Sequence, residues 1–184
     1  MNLRPDAFAL NVVDRCRGGS TSRAALSGGN RALKRWYHEQ TVRNSISESK
    51  APRLHASTSE AVTNNVRVEV ESQYAPERSQ PFQHDWFFYY TVRITNKGNE
   101  TVQLVSRHWI ITDATGHTEE VRGAGVVGEQ PVLAPGEAFQ YTSGCEVNTP
   151  TGVMRGTYQM VTASGTEFDI EIAPFALHGP YTVH

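Results

Sequence analysis

A two-residue hydrophobic period sets in near Val62, and it limits what this chain can fold into more than any other feature. Val66, Val68 and Val70 alternate with Asn65, Arg67, Glu69 and Glu71. Successive side chains of a strand point to opposite faces, so this spacing buries the valines on one side and leaves the charges on the other. The pattern is strongest from Trp86 to Thr95, where Trp86, Phe88, Tyr90, Val92 and Ile94 share one face and Phe87, Tyr89, Thr91, Arg93 and Thr95 the other. Further strands are expected at Val102 to Thr112, His117 to Val121, Ala138 to Ser143, Met154 to Thr162 and Glu167 to Ile172. Asn96-Lys97-Gly98-Asn99, Ala134-Pro135-Gly136, Thr149-Pro150-Thr151-Gly152 and Ser164-Gly165 separate them with turn chemistry. Seven or so short strands with no long helical period between them predict an all-β, antiparallel sandwich rather than a parallel α/β sheet.

The first third reads differently. Residues 1 to 53 hold ten Lys and Arg against four acids, net +6, while the remainder holds seven bases and fifteen acids, net −8. Through about Gly29 the composition is Arg, Ser, Gly and Asn without sustained period, too polar to offset its own ordering entropy. Asn30 is placed to cap a short basic helix over 31–46, in which Leu33, Trp36, Tyr37, Gln40 and Val42 recur at helical spacing. Ser45 to Thr63 returns to a linker-like composition. The expected organisation is a basic extension over 1–60, a sandwich over 61–178 and a tail over 179–184.

No run approaches the roughly 18 apolar residues of a membrane-spanning helix, so no membrane span is expected. The opening stretch lacks the compact apolar region of a secretory signal. Its Arg- and Ser-rich character fits a mitochondrial presequence, with a cytoplasmic location as the alternative; an uncleaved arm that threads into RNA or a larger assembly, and a solvated tail without a dedicated partner, are the other readings of the same charge. Cys16 and Cys145, the only cysteines, fall in unlike segments, and no disulfide is expected.

The segment Ser106-Arg107-His108-Trp109-Ile110-Ile111-Thr112-Asp113, followed by Glu120-Val121-Arg122-Gly123-Ala124-Gly125-Val126-Val127-Gly128-Glu129-Gln130-Pro131, strongly resembles the signature of the ApaG family. The resemblance runs on through Tyr141-Thr142-Ser143-Gly144-Cys145, Met154-Arg155-Gly156 and Phe168-Asp169-Ile170-Glu171-Ile172-Ala173-Pro174-Phe175, and covers about 62–177. It implies a fibronectin type III-like, immunoglobulin-like sandwich. The family stands alone in bacteria and is joined to other parts in eukaryotic F-box proteins and in a mitochondrial polymerase-interacting protein, contexts that imply protein binding. The function expected is therefore a non-catalytic protein-interaction module, an accessory subunit of a large mitochondrial assembly such as a ribosome or respiratory complex. Residues 1–60 lie outside the resemblance.

Candidate site residues cluster around the glycines. Gly123-Ala124-Gly125-Val126-Val127-Gly128 has the spacing of a dinucleotide-binding fingerprint, which needs a helix after it. Pro131 and Pro135 follow too closely for one. Two readings stay open. The glycines permit positive φ in a long connection, or bare loop amides of Gly123, Gly125 and Gly128 bind an anion with Arg122 beside them, which makes pyrophosphate or nucleotide binding the alternative function. His108 points away from Arg107 and Trp109 as a half-buried, hydrogen-bonded histidine, and Arg155 is an exposed strand residue or a ligand contact. The seven histidines show no paired ligand spacing, and neither Ser143 nor Cys145 sits in a nucleophile elbow. No catalytic residue, metal or cofactor is expected.

Overall fold

The computed structural model describes Ala9–Leu10 and residues 56–180. Among the described residues ten strands form two sheets: β1 (Ala9–Leu10), β2 (Ser57–Thr63), β3 (Val66–Tyr74), β4 (Trp86–Asn96), β5 (Val102–Asp113), β6 (Thr118–Ala124), β7 (Val132–Leu133), β8 (Ala138–Val147), β9 (Thr151–Thr162) and β10 (Glu167–His178). One sheet has the order β1-β8-β4-β3-β2 and the other β10-β9-β5-β6, with β7 paired to β5 beyond the end of β6. Every pairing is antiparallel except the two-residue parallel contact of β1 with β8. The all-β sandwich expected from the alternation is the observed fold.

The alternation translates directly into the core. Val68 and Val70 stand opposite Ile94 and Val92 in the same sheet, with Val66 and Tyr90 extending that inner face, and across the interior stand Leu104, Trp109, Ile111, Met154, Tyr158 and Ile172. Trp109, fully buried, is ringed by Tyr90, Tyr158 and Phe175 at centroid distances of 5.3, 6.0 and 6.1 Å. These edge-on contacts suit the ring quadrupoles and place the largest apolar areas at the centre. A buried hydrogen bond between the hydroxyls of Tyr141 and Tyr158, 2.5 Å, ties the two sheets together.

One lateral side of the sandwich is closed by hydroxyls. Ser59 Oγ donates to Ala173 O (3.0 Å) and Ser72 Oγ to Ala176 O (2.7 Å), while Ala176 N–H donates to Ser57 Oγ and Glu171 N–H to Thr63 Oγ1. The register of β10 shifts between Ile172 and Phe175, and this irregularity houses Pro174, which has no N–H for a ladder.

The structure departs from the sequence reading in three places. Ser57–Thr63, read as linker, is strand β2, because its inward positions Ser57, Ser59 and Thr63 satisfy the backbone of β10 instead of packing. A tight turn at Asn64 and Asn65, both left-handed with φ 48° and 60°, joins it to β3. Strands β8 and β10 also run further than their apolar stretches suggested, to Val147 and His178. The helix expected over 31–46, with most of the basic extension, lies outside the described residues.

Candidate functional site

The expected site residues fall on and around the β5–β6 hairpin. Strand β5 begins with Val102 and Leu104 facing the core, then its register against β9 shifts between Leu104 and Ser106. The extra residue resets the parity, so Trp109 and Ile111 continue the inner face while Ser106 and His108 lie on the outer one. His108 stands opposite Arg122 on β6 and Thr157 on β9. Its Nε2 lies 2.8 Å from Glu120 Oε2. An ionised carboxylate only accepts, so this pairing puts the hydrogen on Nε2. Arg122 Nη2 donates to the same oxygen at 3.3 Å. The hydrogen bond from His108, and after it that from Arg122, hold the Glu120 carboxyl below its ordinary range. His108 is thus half-buried and hydrogen-bonded. Arg155 is exposed and paired with Ile110, on whose other side lies Glu120.

Arg107 has the parity of Trp109 and turns inward at the end of the hairpin. It stands opposite Gly123, and the missing side chain there makes room for its guanidinium: a Cβ on Gly123 would lie 2.8 Å from Nη1. That Nη1 donates to Ala124 O (3.1 Å) and Gly125 O (2.9 Å). Arg107 carries no site signal in the sequence, since only the register reveals that a glycine faces it.

The glycine segment forms a tight turn. Val126 N–H donates to Glu129 O and Glu129 N–H to Val126 O, both at 2.8 Å, with Val127 and Gly128 at φ 46° and 83° between them. Gly125 (φ 58°) donates its N–H to Val105 O, and a Cβ on it would collide with Glu129 O. Val126 and Val127 are both buried in the core. A β-branched residue rarely accepts positive φ; here Val127 is held there by the burial of its side chain. Gln130 Nε2 donates to Val105 O, and Leu104 N–H to Pro131 O, which fastens the far side of the turn to the bulge. The backbone amides of Gly125, Val126 and Glu129 are therefore engaged inside the fold.

A shallow polar depression of about 300 Å³ lies beside this turn, lined among others by His108, Arg122, Gly123, Thr157, Gln159 and Asp169. It brings together three of the six expected residues; Gly125, Gly128 and Arg155 do not line it. Among the described residues no group of three or more His, Cys, Asp or Glu is arranged to hold a metal, and no helix is long and apolar enough to cross a membrane. Cys145 is buried in the core.

A different surface stands out on the β3–β4 connection. Two single 3-10 turns, Pro76–Arg78 and Pro81–Gln83, are each opened by a proline. Ala75 N–H donates to Phe87 O, Gln80 and Asp85 exchange backbone bonds, and Ser79 Oγ donates to Ala75 O while accepting from Phe87 N–H. Arg78 stacks over the Phe87 ring at 4.1 Å. This braced loop holds Phe82 at 104% exposure. The sequence carried a faint signal for it, an aromatic residue beside Pro81 and outside the alternating pattern.

Comparison with known proteins places the fold. A family model described as the ApaG domain matches residues 76–162. The ApaG protein of Rhodopseudomonas palustris is 58% identical over 120 residues, 65% of this chain and 92% of that protein. That of Methylobacillus flagellatus is 57% identical over 117 residues, 64% and 92%. The crystal structure of the putative ApaA protein from Bordetella pertussis is 53% identical, covers 66% of this chain and all of its own, and superposes with a TM-score of 0.62. These relatives are proteins of bacteria, which have no mitochondria, and that overturns the mitochondrial location expected from the basic extension. The chain belongs to the ApaG family.

Proposed function

We propose that the chain is a protein-docking module that engages its partner through the braced β3–β4 loop, with Phe82 as the anchor. The supporting observation is Phe82 itself, a large aromatic side chain held wholly in solvent by a loop whose base is pinned by hydrogen bonds, two prolines and the Arg78 stack. Holding an apolar group in water gains the fold nothing, and ordering the loop beforehand removes an entropic cost from binding. Aromatic side chains in such positions carry a large share of interface energy when a partner's apolar pocket covers them. Loops on a rigid sandwich are the usual place for such contacts.

Arg122, His108 and Arg155 belong to this reading as polar contacts on the outer face of the β6–β5–β9 sheet. The net charge of +6 on residues 1–53 supports contact of that segment with RNA, which would weaken steeply with salt. The engaged amides of Gly125, Val126 and Glu129 weigh against the pyrophosphate alternative.

The test is a comparison of proteins retained by the full chain and by its Phe82→Ser form from cell extract at physiological salt, with equal thermal unfolding of the two as the control. A defined partner lost on substitution supports the reading. Identical sets of retained proteins contradict it.

A further inference from the structure

The two lateral sides of the sandwich are finished differently. The β2 and β10 side is stitched by inter-sheet hydrogen bonds, whereas β6 ends its sheet with no strand beyond it among the described residues. Two backbone bonds fix which groups of β6 point outward. Asp113 N–H donates to His117 O at one end of the β5–β6 ladder, and Gly125 N–H donates to Val105 O at the other. Bonded positions alternate in an antiparallel ladder, so residues 119, 121 and 123 turn their backbone groups to β5. Thr118, Glu120, Arg122 and Ala124 turn theirs away from the sheet.

We propose that this edge pairs with the β6 edge of a second copy of the chain, antiparallel about a two-fold axis at Val121. In that register Glu120 stands opposite Arg122 of the second copy, and Arg122 opposite its Glu120. Thr118 faces Ala124 at each end, so every outward amide and carbonyl of the strand finds a partner. The two Val121 residues meet at the axis on the inner face, where Val121 already packs against the core. The side chains of Glu120 and Arg122 lie on the outer face of the strand, joined within one copy at 3.3 Å, and pairing turns that one ion pair into an alternating square of four charges.

The charges also select the register. Moving the axis one residue toward the N-terminus sets Glu120 against Glu120, and one residue toward the C-terminus sets Arg122 against Arg122; directly opposed like charges destabilise a strand pair. Exposed edges are commonly guarded against pairing by charge, but a guard of one sign would repel every register. This one repels the neighbouring registers and favours the symmetric one. The product is an isologous dimer with one continuous eight-stranded sheet, β10-β9-β5-β6 and its symmetry mate.

Sedimentation of the full chain across a micromolar concentration series tests the proposal. The wild type should show a monomer–dimer equilibrium. Glu120→Arg should weaken it at least about tenfold by opposing two arginines to two. The swap Glu120→Arg with Arg122→Glu should restore it, since the opposed pairs become complementary again. Circular dichroism and thermal unfolding establish that each variant is folded. A second, independent reading uses Val121→Cys in a Cys16→Ser background: a non-hydrogen-bonded pair holds its Cα atoms about 4.5 Å apart, within disulfide reach. Mild oxidation should then give a covalent dimer, while Glu119→Cys, which faces Gly123 of the second copy, should not. A chain that stays monomeric, a dimer indifferent to Glu120→Arg, a swap without rescue, or equal cross-linking from positions 119 and 121 would each overturn the proposal.

Discussion

Arg107 occupies the space that Gly123 leaves empty, and from there it donates to the carbonyls of Ala124 and Gly125. The pair couples strand register to the shape of the following turn. Gly123→Ala should push the guanidinium off its acceptors and cost about 1.5–3 kcal/mol, the usual worth of hydrogen bonds to a charged group. In an Arg107→Ala background the same substitution should cost far less, because nothing remains to displace. Urea unfolding of the four forms measures the coupling; additive costs would mean that the two residues do not interact.

Gly125 and Gly128 separate space from backbone strain. Both have positive φ, but a side chain at 125 meets Glu129 O, whereas one at 128 meets nothing. Gly128→Ala should lose about 1–2 kcal/mol to conformation alone. Gly125→Ala should lose more than that and disturb the burial of Val126 and Val127, visible as chemical-shift changes of their methyl groups. Equal losses would remove the steric explanation.

Two surface carboxyls should shape the acid limb of stability. Glu120 is held low by the bonds from His108 and Arg122, and Asp113 chiefly by the Thr115 hydroxyl. With folded values below unfolded ones, their contribution is complete above the ordinary carboxylate range of about 4 and disappears as pH falls through the lower folded values. Glu120→Gln and Asp113→Asn should each lower the urea midpoint slightly at neutral pH and leave it unchanged in strong acid. A larger loss in acid than at neutrality would reverse the sign.

Trp109→Ala should cost about 3–5 kcal/mol, the usual price of emptying an aromatic core position, because Tyr90, Tyr158 and Phe175 all rest against that ring. Calorimetric unfolding reads it directly. A loss under about 1 kcal/mol would mean that the interior is not organised around the indole.

The sheets were legible wherever burial rested on apolar side chains, as in Trp86 to Ile94 on β4. Strand β2 was hidden because its inward positions are Ser57, Ser59 and Thr63, whose role is hydrogen bonding to β10. At the site, the half-buried, bonded character of His108 could be read from the sequence, but its partner Glu120 could not, since cross-strand pairs depend on register. Arg107 was missed for the same reason: the bulge between Leu104 and Ser106 resets the parity of everything after it. The glycine spacing gives no sign that Val126 and Val127 anchor the turn in the core, because their burial depends on the register of the neighbouring strands. Phe82 escaped notice because exposure of a loop residue leaves no periodic trace.

The docking claim rests on the β3–β4 loop, and a photoreactive phenylalanine analogue placed at position 82 of the full chain tests it most directly. Irradiation in cells should yield one discrete cross-linked protein from position 82 and none from the same analogue at exposed Val153 on β9. Equal, diffuse labelling from both positions would contradict the account.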